Sequence, residues 1–137
     1  MASGKSNYLI PLMQKLIIGA TAFSAPGTVA FALSTAAFTT AATGASMTEV
    51  ANSGSYARVS TTNNTTNYPV ATPTVNANAI TWTTATGSWG TILSAYAVDS
   101  ATYGAGNVLL GADITSKAVG SGDTVSIAAG SFSYGEA

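Results

Sequence analysis

A long alternation of apolar and small residues over positions 87–99 is the strongest structural signal in the chain. Trp89 and Leu93 fall on one face of the strand that this alternation predicts. Ile92 and Tyr96 fall on the other face. A strand with bulky apolar residues on both faces is typical of the middle of a sheet that is covered on each side. We therefore expect this stretch to be the central strand of the fold.

Shorter alternating segments, separated by turns rich in glycine, serine and asparagine, recur along the rest of the chain. They predict strands at 28–34, 55–60, 79–84, 107–113, 124–128 and 131–134. Many short strands with such turns indicate a mainly β protein, an antiparallel β-sandwich of the jelly-roll-like kind. We expect the structural core to contain Phe31, Trp82, Trp89, Tyr96, Leu109 and Phe132.

The N-terminal segment predicts a short helix at about residues 6–18. Ser6 can cap its first turn and Gly19 can end it, while Pro11 leaves open whether the regular helix begins at Ser6 or near the proline. Almost every residue from 8 to 18 is apolar, so we expect the helix to be buried on most sides. Its own sheet is the favoured cover, and a neighbouring subunit is the alternative.

Two polar stretches, at about 36–54 and 61–78, predict long loops. The first has the composition of a surface connection, and Pro69 and Pro73 keep the second out of a central strand. A chain of 137 residues can bury one core, so we expect a single domain over 1–137.

An uncharged run over residues 16–38 follows Lys5 and Lys15, and this order is also found in signal peptides and membrane spans. Pro26 and Gly27 interrupt the run, and alanine, threonine and serine outnumber leucine and isoleucine in it. The chain also begins with a methionine. We therefore expect neither a cleaved signal nor a membrane span.

Charge is scarce in this sequence. Only 7% of residues are charged, against about 25% in ordinary soluble domains, with four basic and five acidic side chains. No charged patch is available for a nucleic acid or a membrane surface, so we expect neither as a partner. A weakly charged surface is poor at keeping neighbouring proteins apart, which favours contact with other subunits.

The residue types exclude most catalytic chemistry. The absence of cysteine and histidine excludes disulfides, zinc sites built on these residues and the Ser-His-Asp arrangement. Asp99, Asp113 and Asp123 lie at predicted strand ends or turns, where aspartate usually accepts bonds from nearby backbone amides. The glycines at 104–106 and 120–122 lack the Lys-Ser/Thr pair of a phosphate loop. We expect no enzymatic activity, no catalytic residue, no metal and no cofactor.

Several motifs recur together in an order that covers nearly the whole chain. They are Ser6-Asn7-Tyr8-Leu9, Val29-Ala30-Phe31-Ala32-Leu33-Ser34, Gly54-Ser55-Tyr56-Ala57-Arg58, Ile80-Thr81-Trp82, Gly87-Ser88-Trp89-Gly90, Gly106-Asn107-Val108-Leu109 and Gly120-Ser121-Gly122-Asp123. This order resembles a family of small virion proteins of tailed bacteriophages, whose members are often labelled tail-fibre proteins. The resemblance also fits the small β-sandwich proteins that decorate icosahedral capsids. The chain departs from the family at Ile10-Pro11-Leu12-Met13, where charged residues are usual, and at Ser94-Ala95-Tyr96, where a histidine is usual.

The resemblance implies a structural virion protein, and we expect a capsid decoration or cement protein on the capsid surface. Its partners would be the major capsid protein and copies of itself, as a dimer or trimer. A tail or fibre component that contacts the host surface is the first alternative, and a secreted adhesion module is the second. Besides the two long loops, we expect the partner interface to include Tyr8, Leu9, Ile10, Leu12, Met13 and Leu16.

Overall fold

One five-stranded antiparallel sheet dominates the structure. The computed structural model describes residues 2–19, 22–71 and 73–135. Its elements are β1 (Ser3–Lys5), α1 (Leu9–Ile17), β2 (Thr28–Ser34), β3 (Val59–Thr62), β4 (Thr74–Val75), β5 (Ile80–Thr81), β6 (Gly90–Val98), β7 (Val108–Val119), β8 (Ser126–Ile127) and β9 (Ser133–Tyr134). The main sheet has the order β1-β7-β6-β2-β3, and each neighbouring pair is antiparallel. The mainly β class with a short N-terminal helix is therefore confirmed.

Strand β6 lies in the middle of this sheet, between β7 and β2, and both of its faces are covered. The register against β7 shifts between Ile92 and Ser94. As a result, Ile92 packs in the same cluster as Trp89, whereas Tyr96 packs in the cluster on the opposite face. The prediction that Ile92 and Tyr96 share a face is wrong, because the register shift interrupts the alternation.

The first face of the main sheet is covered by α1 and by two short strand pairs, β4 with β9 and β5 with β8. Thr74 lies opposite Tyr134 and Ile80 lies opposite Ile127, so the two pairs form one antiparallel ribbon with a register change of a single residue. Asn76 joins the strands at that change, because its side chain donates to the carbonyl of Ala128 and accepts the N–H of Phe132. A two-stranded ribbon stands where a second sheet was expected, so the predicted jelly-roll-like sandwich is not confirmed.

Under the ribbon lies the larger of two hydrophobic clusters. Phe31 meets Phe132 edge to face at 5.2 Å between ring centroids, and Trp89 meets Tyr56 in the same way at 5.3 Å. Five of the six residues predicted for the core are buried, and the sixth, Phe132, is half-buried against this cluster.

The opposite face is covered by the chain between β2 and β3. Phe38, Ala42 and Met47 of this connection are buried there and pack in one cluster with Tyr96. Gly111 of β7 makes room for the Phe38 ring, since a Cβ at this position would lie 2.8 Å from that ring. The 36–54 stretch is therefore a covering layer of the sheet, and the prediction of a surface connection is wrong for its buried residues.

A buried ion pair holds this covering layer in place. Two nitrogens of the Arg58 guanidinium donate to the two carboxylate oxygens of Glu49, each at 2.8 Å. The remaining donors reach the carbonyl oxygens of Gly44, Ser100 and Ala105. Both charged side chains are almost completely buried. The Arg58 guanidinium thus links the covering layer to the loop between β6 and β7 by hydrogen bonds.

Tyr56 connects this ion pair to the main sheet. Its hydroxyl donates to Glu49 at 3.0 Å and accepts the N–H of Leu33 in β2 at 2.9 Å. Burial raises the pKa of Tyr56 above its ordinary value, so the hydroxyl keeps the proton that it donates.

Replacing Arg58 by methionine should lower the free energy of unfolding by about 3–5 kcal/mol, because Glu49 would be left buried without its partner. Urea denaturation of the purified chain measures the change. Lys117→Met, at an exposed position of β7, is the control and should stay within about 0.5 kcal/mol of the wild type. Equal losses in the two variants would contradict the role of the ion pair.

Candidate interaction surface

Helix α1 carries large apolar side chains that are exposed. It begins at Leu9, so Pro11 lies in the first turn, where a missing N–H breaks no helical hydrogen bond. Ser6 precedes it: its hydroxyl accepts the N–H of Leu9 at 3.1 Å and donates to the carbonyl of Val108 in β7. The helix ends before Gly19, which has the positive φ of +69° typical of helix ends. The predicted range of 6–18 is therefore longer than the helix, because it includes Ser6 and the turn that leads to Leu9.

Only a narrow stripe of α1 packs on the body of the protein. Leu9 is 7% exposed and belongs to the larger core cluster, with Met13 packed against that cluster. By contrast, Leu16 is 54% exposed, Ile17 83% and Ile18 75%. The prediction that the sheet of the same chain buries the helix is therefore wrong for its C-terminal half.

We define the α1 apolar surface as the exposed large apolar residues Tyr8, Ile10, Leu16, Ile17 and Ile18. Three of the six residues predicted for the partner interface, Tyr8, Ile10 and Leu16, are part of it. The other three are less accessible: Leu9 packs in the core, and Leu12 and Met13 are half-buried.

The two most exposed large apolar residues of helix α1 and its C-terminal cap, Ile17 and Ile18, were missing from the predicted interface. The sequence carried a signal for them, because the apolar run continues without a polar residue from Leu16 to Ile18. The helical spacing alone could not show that they face away from the sheet, because it does not fix how the helix is rotated against its support.

An apolar hollow of about 320 Å³ lies beside α1. Its walls include Met13 and Leu16 from the helix, Phe23 and Pro26 from the segment after it, and Tyr68 from the connection between β3 and β4. The side chains of the α1 apolar surface protrude, and the walls of this hollow are recessed. The two features together form one region of exposed apolar surface.

The 61–78 stretch also lies close to this region. The side chain of Asn63 donates to the carbonyl of Pro26 at 2.8 Å, and that of Asn67 donates to the carbonyl of Thr62. Val70 is exposed within this stretch. The contact between the 61–78 stretch and a partner stays a prediction.

The three aspartates singled out in the sequence all accept hydrogen bonds from backbone amides. Asp99 accepts the backbone N–H of Asn107 at 2.7 Å, and Asp123 accepts that of Gly120 at 2.8 Å. Asp113 lies within β7, not at a strand end, because β7 continues to residue 119. Its two oxygens accept the N–H groups of Phe38 and Ala2, each at 2.7 Å.

Over the ranges 2–19, 22–71 and 73–135, no group of three or more carboxylate, histidine or cysteine side chains is placed to hold a metal ion. In the same ranges, no helix is both long enough and apolar enough to cross a bilayer.

Stability should depend on pH through Asp113, whose pKa is lowered by the N–H groups of Phe38 and Ala2. The stabilisation by the carboxylate is complete above the unfolded-chain pKa of about 3.9 and is lost as pH falls through the lower folded-state pKa. Asp113→Asn should therefore lower the urea midpoint at pH 7, and its difference from the wild type should shrink in strong acid. Urea titrations at a series of pH values measure this, and a difference that is the same at every pH would contradict it.

Comparison with protein families identifies the chain. Residues 4–135, nearly the whole sequence, match the model of a family described as podophage GP4 fiber I protein gp80. Comparison with curated proteins gives no match. The resemblance to tailed-phage virion proteins, including a fibre-labelled type, is thereby confirmed. The chain belongs to the podophage GP4 fiber I protein gp80 family and is a structural protein of a tailed-phage particle.

Proposed function

We propose that this protein is a subunit of the phage fibre and that the α1 apolar surface attaches it to the particle. The observation that carries the proposal is the exposure of Ile17 and Ile18, 83% and 75%, at the C-terminal end of helix α1. The family description supports the location in a fibre.

The energetics favour a protein partner for this surface. Burying an isoleucine side chain completely contributes about 1.5–3 kcal/mol, so covering Ile17, Ile18 and Leu16 would supply much of the free energy of a stable contact. Lys15 is the one charged residue of the helix, which leaves little charge to desolvate. The proposed role requires no reaction and no cofactor, because binding by shape is sufficient for it.

The partners that we propose are other subunits of the particle, including further copies of this chain as a dimer or trimer. Neither a nucleic acid nor a membrane is part of the proposal. With four basic and five acidic residues in the whole chain, attachment should depend little on salt.

A capsid decoration protein is the second candidate, and the closed fold favours it. Both faces of the main sheet are covered by the same chain, so the protein has a core before any partner binds. A protein that folds alone and then binds only the assembled shell stabilises that shell by mass action. This is how a decoration protein on the capsid surface would act.

Copy number in purified particles distinguishes the two candidates. A fibre component should be present in few copies per particle, whereas a decoration protein should approach the number of shell subunits. Quantitative mass spectrometry against the major capsid protein measures the ratio. Absence of the protein from particles that still infect would contradict both candidates.

Replacing Ile17 by lysine tests the attachment surface. Because the side chain is exposed, the free energy of unfolding should change by no more than about 0.5 kcal/mol, while incorporation into particles should fall at least tenfold. Tyr103→Lys is the control, since Tyr103 is an exposed large residue of the loop between β6 and β7. Normal incorporation of the Ile17 variant would show that α1 is not the attachment surface.

A further inference from the structure

Helix α1 has two apolar stripes. Leu9 and Met13 lie on the stripe that packs on the body of the protein. Four exposed residues lie within another arc of about 100° of the helix circumference, which we call the outer stripe: Ile10, Gln14, Ile17 and Ile18. Ile18 follows the last helical residue and still donates its N–H to the carbonyl of Gln14 at 3.1 Å, so it continues the helical path.

A second apolar stripe indicates a second packing partner. A surface helix usually has one apolar stripe toward the core and polar residues on the face turned away from it. In α1 the face turned away from the body carries three isoleucines instead. Positions 10, 14 and 17 also have the spacing of residues at the seam between two packed helices. Another helix is therefore the element that fits this stripe.

The size of the outer stripe suits a reversible contact. Ile10 is 37% exposed, Ile17 83% and Ile18 75%, so each copy leaves the equivalent of about two whole isoleucine side chains uncovered. A nine-residue helix is about 14 Å long and about 10 Å wide, so a contact between two such helices falls below the usual 800 Å² or so per partner. We therefore expect a dissociation constant between about 1 and 100 µM.

Gln14 points to a second copy of this chain as the partner. It lies in the middle of the outer stripe, and its amide carries both a hydrogen-bond donor and an acceptor. At a two-fold axis a residue meets its own copy, so it must be complementary to itself. Two glutamine amides can exchange N–H···O bonds, whereas two like charges at the axis would repel each other.

The apolar residues also match under this symmetry. When two antiparallel helices cross with Gln14 at the axis, Ile10 of one copy lies beside Ile17 and Ile18 of the other. Lys15, the charged residue of the helix, lies outside the outer stripe, so the two ammonium groups do not face each other. The stripe is therefore complementary to its own copy in both its apolar and its polar positions.

We propose that the outer stripe pairs with the outer stripe of a second copy, as two antiparallel helices related by a two-fold axis through Gln14. The proposal rests on the proposed function, since it takes the α1 apolar surface as the attachment surface and names its partner. The unit that this surface forms is then a dimer.

Analytical ultracentrifugation of the purified chain, from micromolar to millimolar concentration, tests the pairing. The wild type should pass from monomer to dimer. Gln14→Lys and Gln14→Glu should each weaken the association about tenfold or more, because like charges then meet at the axis. An equimolar mixture of the two variants should associate at least as tightly as the wild type, because opposite charges meet in the mixed dimer.

Lys15→Glu is the control, at an exposed position of the same helix outside the outer stripe, and it should associate like the wild type. Because Gln14 is exposed, both of its variants should keep the urea midpoint of the wild type. Four results would overturn the proposal: a wild type that stays monomeric, a trimer, undiminished association of the two Gln14 variants, or a mixture of them that does not restore it.

Failure of this proposal and failure of the proposed function are distinguishable. A monomeric wild type together with poor incorporation of Ile17→Lys into particles would overturn the pairing and leave α1 as the attachment surface for a different protein. A wild-type dimer that shows the charge rescue, together with normal incorporation of Ile17→Lys, would support the pairing and overturn the attachment.

Discussion

The buried pair of Arg58 and Glu49 is the interaction on which the rest of the structure depends. Removing two charges from water costs several kcal/mol each, and only complete pairing with good geometry offsets that cost. Here every guanidinium donor has an acceptor, and three of the acceptors are carbonyl groups on two separate loops. The pair therefore acts as a fixed point for backbone that has few regular hydrogen bonds of its own. Without it, the layer over Tyr96 would lose its link to the loop between β6 and β7 and would keep only its apolar packing and its hydrogen bonds to the sheet.

The two faces of the main sheet are covered by different parts of the chain. One face is covered by the chain between β2 and β3, whose residues Phe38, Ala42 and Met47 are buried against Tyr96. The other face is covered by a two-stranded ribbon and a helix that packs through Leu9 and Met13. The exposed apolar residues of the α1 apolar surface and the hollow beside the helix lie on this second side. This second side is therefore the one that we propose for attachment.

Much of the fold could be predicted from local pattern. Strand β2 has the bounds that its alternation predicts, and β6 is the central strand expected from its two apolar faces. The helix was placed within three residues of its observed ends. The interface could be predicted only in part. Tyr8, Ile10 and Leu16 were expected and are exposed, whereas Leu9 faces the core and Ile17 and Ile18 were missed. The reason is that helical spacing gives the side chains of a stripe but not the direction in which the stripe points.

The sequence by itself determined the mainly β class of the protein, because alternation and turn residues are local properties. It also determined the family, through motifs that recur in order. The tertiary structure decided what the chain between β2 and β3 does, because the partners of Arg58 lie up to 47 residues away in sequence. It likewise decided that a two-stranded ribbon covers the other face, since β4 pairs with β9 and β5 pairs with β8 across long distances in sequence. Both depend on contacts between distant segments, which no local pattern encodes.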